Sequence, residues 1–100
     1  MRVERLKNNA IIKPEGRIDI RNSQELKKKM LQIYDEGYKY VIIDFSEVES
    51  IDSSGLGKLL LFQKKLKERD GELKITKINN DYIKKMFKMI HLDKVINIEE

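Results

Sequence analysis

The stretch YVIIDFSEVESIDSSGLGKLL, Tyr40–Leu60, decides the fold. Its first six residues are β-branched and apolar, with too few polar alternations for a strand having one face in water, so YVIIDF reads as the buried central strand. Its end opens a helix predicted from about Ser54 to Arg69, with Leu56, Leu59, Leu60 and Leu66 on the inner face and Leu61 and Phe62 widening it. Between strand and helix stand Asp52, Ser53, Ser54, Gly55 and Gly57, poor helix formers where a helix begins.

Part of that contradiction dissolves at once. A helix N-terminus exposes unpaired amides and about half a unit of positive charge, so Asp and Ser are favourable there as caps. Gly55 and Gly57 are not explained by capping, since each costs about 1 kcal/mol relative to alanine inside a helix. Either a neighbouring strand packs tightly against them, or a partner must bring its backbone or a phosphate close to the serines.

Working outward, Val3 and Leu6, then Ala10 to Lys13, are short β-type runs separated by Lys7-Asn8-Asn9, which predicts an antiparallel pair. Ile18 and Ile20 flank Asp19 in a brief extended piece that leads into a loop. Asn22 or Ser23 can cap a helix carrying Leu26, Met30, Ile33 and Tyr34 to a stop at Gly37. Downstream, Asp70-Gly71 ends the second helix and Leu73 to Ile78 reads as a strand. Asn80 or Asp81 then caps a third helix with Ile83, Met86, Phe87 and Ile90 on one side, and Val95 to Ile98 is the last strand. This order predicts an α/β domain with a mixed sheet of about five strands joined by crossover helices.

At 100 residues, 40% of them hydrophobic and 38% charged, the chain is expected to fold as one domain spanning 1–100. It has no cysteine and one histidine, so neither a disulfide nor a metal cluster is expected and no cofactor is called for. The longest apolar run, Leu59–Phe62, is far shorter than the ~20 residues of a membrane helix, and no signal peptide is visible, so a cytoplasmic protein with no membrane partner is expected. The net charge of +4 is mild. Lys27, Lys28, Lys29, Lys64, Lys65, Lys67, Lys84 and Lys85 lie on predicted amphipathic helices and read as solvated faces, and no stacking aromatics or nucleic-acid motif accompany them.

The segment VIIDFSEVESIDSSGLGKLL resembles the signature of the anti-sigma factor antagonists, single domains of the STAS fold. EGRIDI, Glu15–Ile20, is similar to the family's Gly-x-Leu-Asp turn, GELKI to its strand after the second helix, and IKKMFKMIHLDKVINI to its last helix and strand. The resemblance implies a protein that, unphosphorylated, binds an anti-sigma factor and releases a sigma factor. It implies that the anti-sigma factor is a serine kinase acting on the serine after the motif's Asp, and that a PP2C-type phosphatase reverses the step. By position the phosphoacceptor is Ser53, and the partner-binding residues are Asp19, Ile20, Arg21, Asp52, Ser53, Ser54, Gly55 and Gly57. Asp19 could position the partner or cap its own turn. The amides of Gly55 and its neighbours are suited to cradle a phosphate, and Asp52 acts against this by repulsion.

One departure stands out: where the family has glycine after its last helix this chain has His91, which must end the helix, in a left-handed conformation if it replaces glycine fully. His91 reads either as that structural cap or as a pH-sensitive surface residue. No enzyme is expected, because the serines have no evident base and the histidine is remote in sequence. The alternatives within the fold are a scaffold or regulatory subunit of a stress-signalling complex and a nucleotide-binding regulatory domain; direct nucleic-acid binding ranks below both.

Overall fold

The computed structural model describes residues 1–99. Strands β1 (Arg2–Arg5) and β2 (Ala10–Lys13) form the N-terminal antiparallel pair, closed by the Leu6 amide donating to the Asn9 carbonyl at 2.9 Å. The chain then runs through β3 (Gly16–Ile18), α1 (Ser23–Asp35), β4 (Tyr40–Asp44), β5 (Val48–Ile51), α2 (Ser53–Lys67), β6 (Glu72–Thr76), α3 (Asp81–Met89), a 3₁₀ turn at Leu92–Lys94 and β7 (Asn97–Glu99). The main sheet has the order β1-β2-β4-β6-β7, parallel from β2 onward, and β3 pairs with β5 in a separate parallel ladder.

Each parallel strand is added on the same side of the one before, so crossovers of one hand bring their helices to the same sheet face. The burial follows. Ala10, Val41 and Leu73 lie side by side in register, as do Ile12, Ile43 and Ile75, all at most 1% exposed beneath the helices. The opposite face carries Ile11, Ile42, Lys74 and Thr76, all only half-buried.

YVIIDF is therefore central but not covered on both sides, contrary to the reading from its apolar run. The β-branched residues suit the pleat on either face, so composition alone did not distinguish one covered face from two. Asp44, on the open face, is 8% exposed. Burial pushes its carboxyl pKa up, but the Ser46 amide at 2.8 Å, the Ser46 hydroxyl and the Lys77 and Lys13 charges outweigh that and hold it below the usual value.

The helix ends explain three backbone choices. At the end of α1, Tyr38 donates to the Ile33 carbonyl at 3.3 Å and Gly37 to Tyr34 at 3.0 Å, the pattern in which the C′ residue is left-handed; Gly37 has φ +99°. At the end of α2 the left-handed residue is Asp70, φ 62°, while Gly71 is required because a Cβ there would collide with the Lys39 carbonyl. His91 ends α3 at φ 55°, ψ 39°, the left-handed cap foreseen for it, with its amide bonded to the Lys88 carbonyl at 3.1 Å.

Several strand bounds differ from expectation. The piece read as extended through Ile20 is a strand only to Ile18, YVIIDF is a strand only to Asp44, and Val48–Ile51, between the central strand and the second helix, forms a further strand, β5. The strand after α2 stops at Thr76, because Lys77 turns left-handed at φ 57°. The last strand starts at Asn97, since the 3₁₀ turn and the bonds it makes to Val95 and Ile96 delay it.

One side chain ties α2 to the sheet. Gln63, 4% exposed, accepts the Leu73 amide at 2.8 Å and donates to the Val95 carbonyl at 2.8 Å. Pairing of β6 with β7 begins only at Lys74, so the Gln63 amide stands in for the missing strand at that end.

Candidate functional site

The β3–β5 ladder brings two loops together. Ile18 and Ile51 are partners in register, and the Asp52 amide donates to the Ile18 carbonyl at 3.0 Å. The chain leaves both strands at the same level, into Asp19–Asn22 from one and Asp52 from the other. All of the residues singled out in the sequence, Asp19, Ile20, Arg21, Asp52, Ser53, Ser54, Gly55 and Gly57, lie on these two loops or on the first turns of α2.

The Asp19 loop is tied internally. The Asp19 carboxylate accepts the Arg21 amide at 2.9 Å and pairs with the Arg21 guanidinium at 2.7 Å, while the Asp19 carbonyl accepts the Asn22 and Ser23 amides. The Arg21 guanidinium, then the Arg21 amide, hold the Asp19 carboxyl below its ordinary pKa. Asp19 thus shapes its own turn, the second of the two roles open to it, and also pairs with the exposed Arg21. Asn22 occupies the N-cap position of α1, its carbonyl accepting the Leu26 amide at 3.2 Å, but its side chain caps no helix amide; it accepts the Asp19 amide at 2.8 Å and donates to the Arg17 carbonyl at 2.5 Å, closing the loop. Ile20, at the tip, is 77% exposed.

Asp52 caps α2. Its Oδ1 accepts the Ser54 amide at 3.0 Å, the Gly55 amide at 3.1 Å and the Ser54 hydroxyl at 2.6 Å. The Ser54 hydroxyl and then the Gly55 amide hold its pKa below the ordinary value, with the Asp19 charge acting the other way. The two serines are therefore unequal. The Ser54 hydroxyl is committed to Asp52 and its residue is half-buried, whereas Ser53 is exposed and, among the described residues, its hydroxyl makes no hydrogen bond.

The two glycines also differ. An ideal Cβ on Gly55 would lie 2.6 Å from Ile18 Cγ2 and 2.9 Å from Ile51 Cγ1, so Gly55 exists to let α2 sit on the β3–β5 ladder. Gly57 has nothing within 4 Å of such an atom. The close-packing account holds for Gly55, and an open approach is available only at Gly57. The Gly55 amide is already taken by the Asp52 carboxylate, the group set against a phosphate cradle in the sequence reading.

On the outer side of α2, the turns after Ser53 present Gly57 and then Leu60 and Leu61, which are 38% and 65% exposed. Leu60 was expected on the inner face and Leu61 at its edge; instead both are exposed, Phe62 is buried as expected, and Gln63 joins it inside. The run of four consecutive apolar residues, Leu59–Phe62, offers several faces of equal hydrophobicity, so periodicity could not choose among them. Among the described residues no cluster of three or more His, Cys, Asp or Glu side chains could hold a metal ion. No helix among them is long and apolar enough to cross a membrane.

The profile of the STAS domain matches residues 1–100. The chain belongs to the STAS domain family. Within it, a protein of Thermotoga maritima provisionally named an anti-sigma factor antagonist is 26% identical over 89 residues, covering 88% of this chain and 78% of that one. A crystal structure of a Thermotoga maritima protein with the same provisional name superposes with a TM-score of 0.90 at 23% identity, covering 99% of this STAS chain and 85% of the other. The Bacillus anti-sigma factor antagonist SpoIIAA matches in its unphosphorylated form with a TM-score of 0.82 at 19% identity, over 97% of this chain and 85% of that one. Its phosphorylated form matches with 0.75 at 18% identity, over 97% and 88%. At these identities the structural likeness establishes the STAS fold.

Proposed function

We propose that this STAS domain is an anti-sigma factor antagonist whose unphosphorylated form binds an anti-sigma factor and whose binding is switched off by phosphorylation of Ser53. The observation that carries the reading is the inequality of the two serines: Ser53 offers an exposed hydroxyl that makes no hydrogen bond among the described residues, at the N-terminus of α2, while Asp52 occupies that of Ser54. The resemblance of the Asp52–Gly57 segment to the family signature, and the names of the relatives, support it from outside the geometry.

The switch is electrostatic. A partner can cover a neutral serine and satisfy its hydroxyl with one or two hydrogen bonds. Phosphate adds about −1.5 to −2 charge beside Asp52 and within the field of Asp19, and the guanidinium of Arg21 is already paired with Asp19. Both the buried charge in the interface and its repulsion from Asp52 then favour dissociation. The domain itself is expected to change little, because the charge acts on the interface.

The proposed partners are an anti-sigma factor that is also a serine kinase and a PP2C-type phosphatase. The domain acts by binding and takes part in no catalysis of its own. Incubation with ATP and the anti-sigma factors of the same organism, followed by mass spectrometry, tests this. Phosphate on Ser53, lost in Ser53→Ala and retained in Ser54→Ala, is the expected result; phosphate on Ser54, or none with any such kinase, refutes it.

A further inference from the structure

Where α1 and α2 pack side by side, their outer edges leave a furrow that opens into a cavity of about 260 Å³. Met30 and Phe62, both buried, form its floor, and Leu31 and Leu61 form its walls. Three lysines, Lys27, Lys58 and Lys65, stand at the rim, and no carboxylate lines the cavity. None of the three takes part in a salt bridge among the described residues. Nothing of this furrow is needed for the Ser53 switch.

We infer that the furrow is a docking groove for an acidic amphipathic helix of a partner protein. The apolar floor lies below the charged rim, so its complement is a row of apolar side chains flanked by carboxylates, as when a helix lies in a groove with anchors at i, i+3 or i+4, and i+7. Lys58 and Lys65 are seven positions apart on one helix, about 10.5 Å along its axis, the same spacing as two carboxylates at i and i+7 of a helix laid alongside. The volume falls below the ~300–1,000 Å³ of small-molecule sites but accepts side chains.

Charge and shape set the other occupants aside. A second copy carries the same net charge of +4 and presents lysine-rich helix faces to these lysines. A flat anionic membrane would engage the lysines and leave the recessed Met30 and Phe62 uncovered.

The test is an NMR titration of the full chain with a helix-stabilised peptide bearing leucines at i, i+4 and i+7 and glutamates beside them. An analogue with lysine for glutamate and vesicles rich in phosphatidylglycerol serve as comparators. The acidic peptide is expected to shift the Met30, Leu31 and Leu61 methyl signals saturably and at least tenfold more tightly than the basic one. Lys27→Glu with Lys58→Glu, which leaves Lys65 in place over the Tyr34 ring at 4.7 Å, is expected to weaken it by tenfold or more, with the thermal midpoint of the variant measured alongside to show that it is folded, and added salt is expected to weaken it further. Equal affinity for both peptides, shifts centred elsewhere, no saturable shift, or vesicle binding with the same lysine dependence in place of peptide binding overturns the inference. Ser53→Ala leaves this titration unchanged, so it fails or stands separately from the phosphorylation reading.

Discussion

Replacing Gly55 and Gly57 by alanine, one at a time, separates two roles that look alike in sequence. At Gly55 the new methyl would lie 2.6 Å from Ile18 Cγ2, 2.9 Å from Ile51 Cγ1 and 3.2 Å from Ile51 Cδ1, against an optimum of about 3.5–4.0 Å for carbon pairs. Ile18 and Ile51 are 1% and 6% exposed and branch at Cβ, so neither can swing clear without moving its strand or the helix start. Overpacking of this kind costs about 1–3 kcal/mol. At Gly57 no atom is within 4 Å, and alanine should instead gain about 1 kcal/mol of helix propensity.

That propensity gain is common to both sites, so the difference between the variants isolates the steric cost, about 1–3 kcal/mol. With a urea slope of ~1–3 kcal/mol per molar, the two midpoints should differ by on the order of 1 M, Gly57→Ala unfolding later than the parent and Gly55→Ala earlier than Gly57→Ala. Urea titration followed by far-ultraviolet circular dichroism reads this directly. If the two variants agree within about 0.5 kcal/mol, the packing account of Gly55 is wrong.

Two further substitutions test the polar supports of the fold. Gln63→Glu keeps an acceptor for the Leu73 amide but, when ionised, turns a charge toward the Val95 carbonyl. Burial raises the folded pKa of the new carboxyl above its unfolded value, so the variant should be most nearly as stable as the parent at acid pH and should lose ground as pH rises through that raised value. A stability gap that is independent of pH would count against the bridge. Asp52→Ala should lower the thermal midpoint at neutral pH, and Asp52→Asn by less because asparagine also caps helices. The Asp52 pKa is depressed below its ordinary 3.8, so its contribution is complete above that value and disappears as pH falls through the folded one; parent and Asp52→Asn midpoints should converge there.

What the sequence revealed was mostly local. The cap at Asp52, the left-handed cap at His91 and the helix stops at Gly37 and Asp70 each depend on residues within a few positions, and each was legible. The pairing of β3 with β5 was not, because it joins segments about 30 residues apart through a register irregularity at Gly16–Arg17 that no short-range pattern encodes. Gln63 was invisible for another reason: glutamine is an ordinary exposed helix residue, and only the late start of β7 gives it an inner role. The choice between Ser53 and Ser54 came from resemblance, since both share the helix field; the structure adds a physical difference, the 2.6 Å bond that occupies Ser54.

The β3–β5 ladder stands apart from the five-stranded sheet, yet both the Asp19 loop and the Asp52 turn spring from it. It pairs at only three positions although Ile18, Val48 and Ile51 belong to the common core, and its amide hydrogens are expected to exchange faster than those of the central strand β4. The firmness of three rungs of backbone pairing would then set how tightly the two loops are held side by side, with the exposed loop residues themselves unchanged.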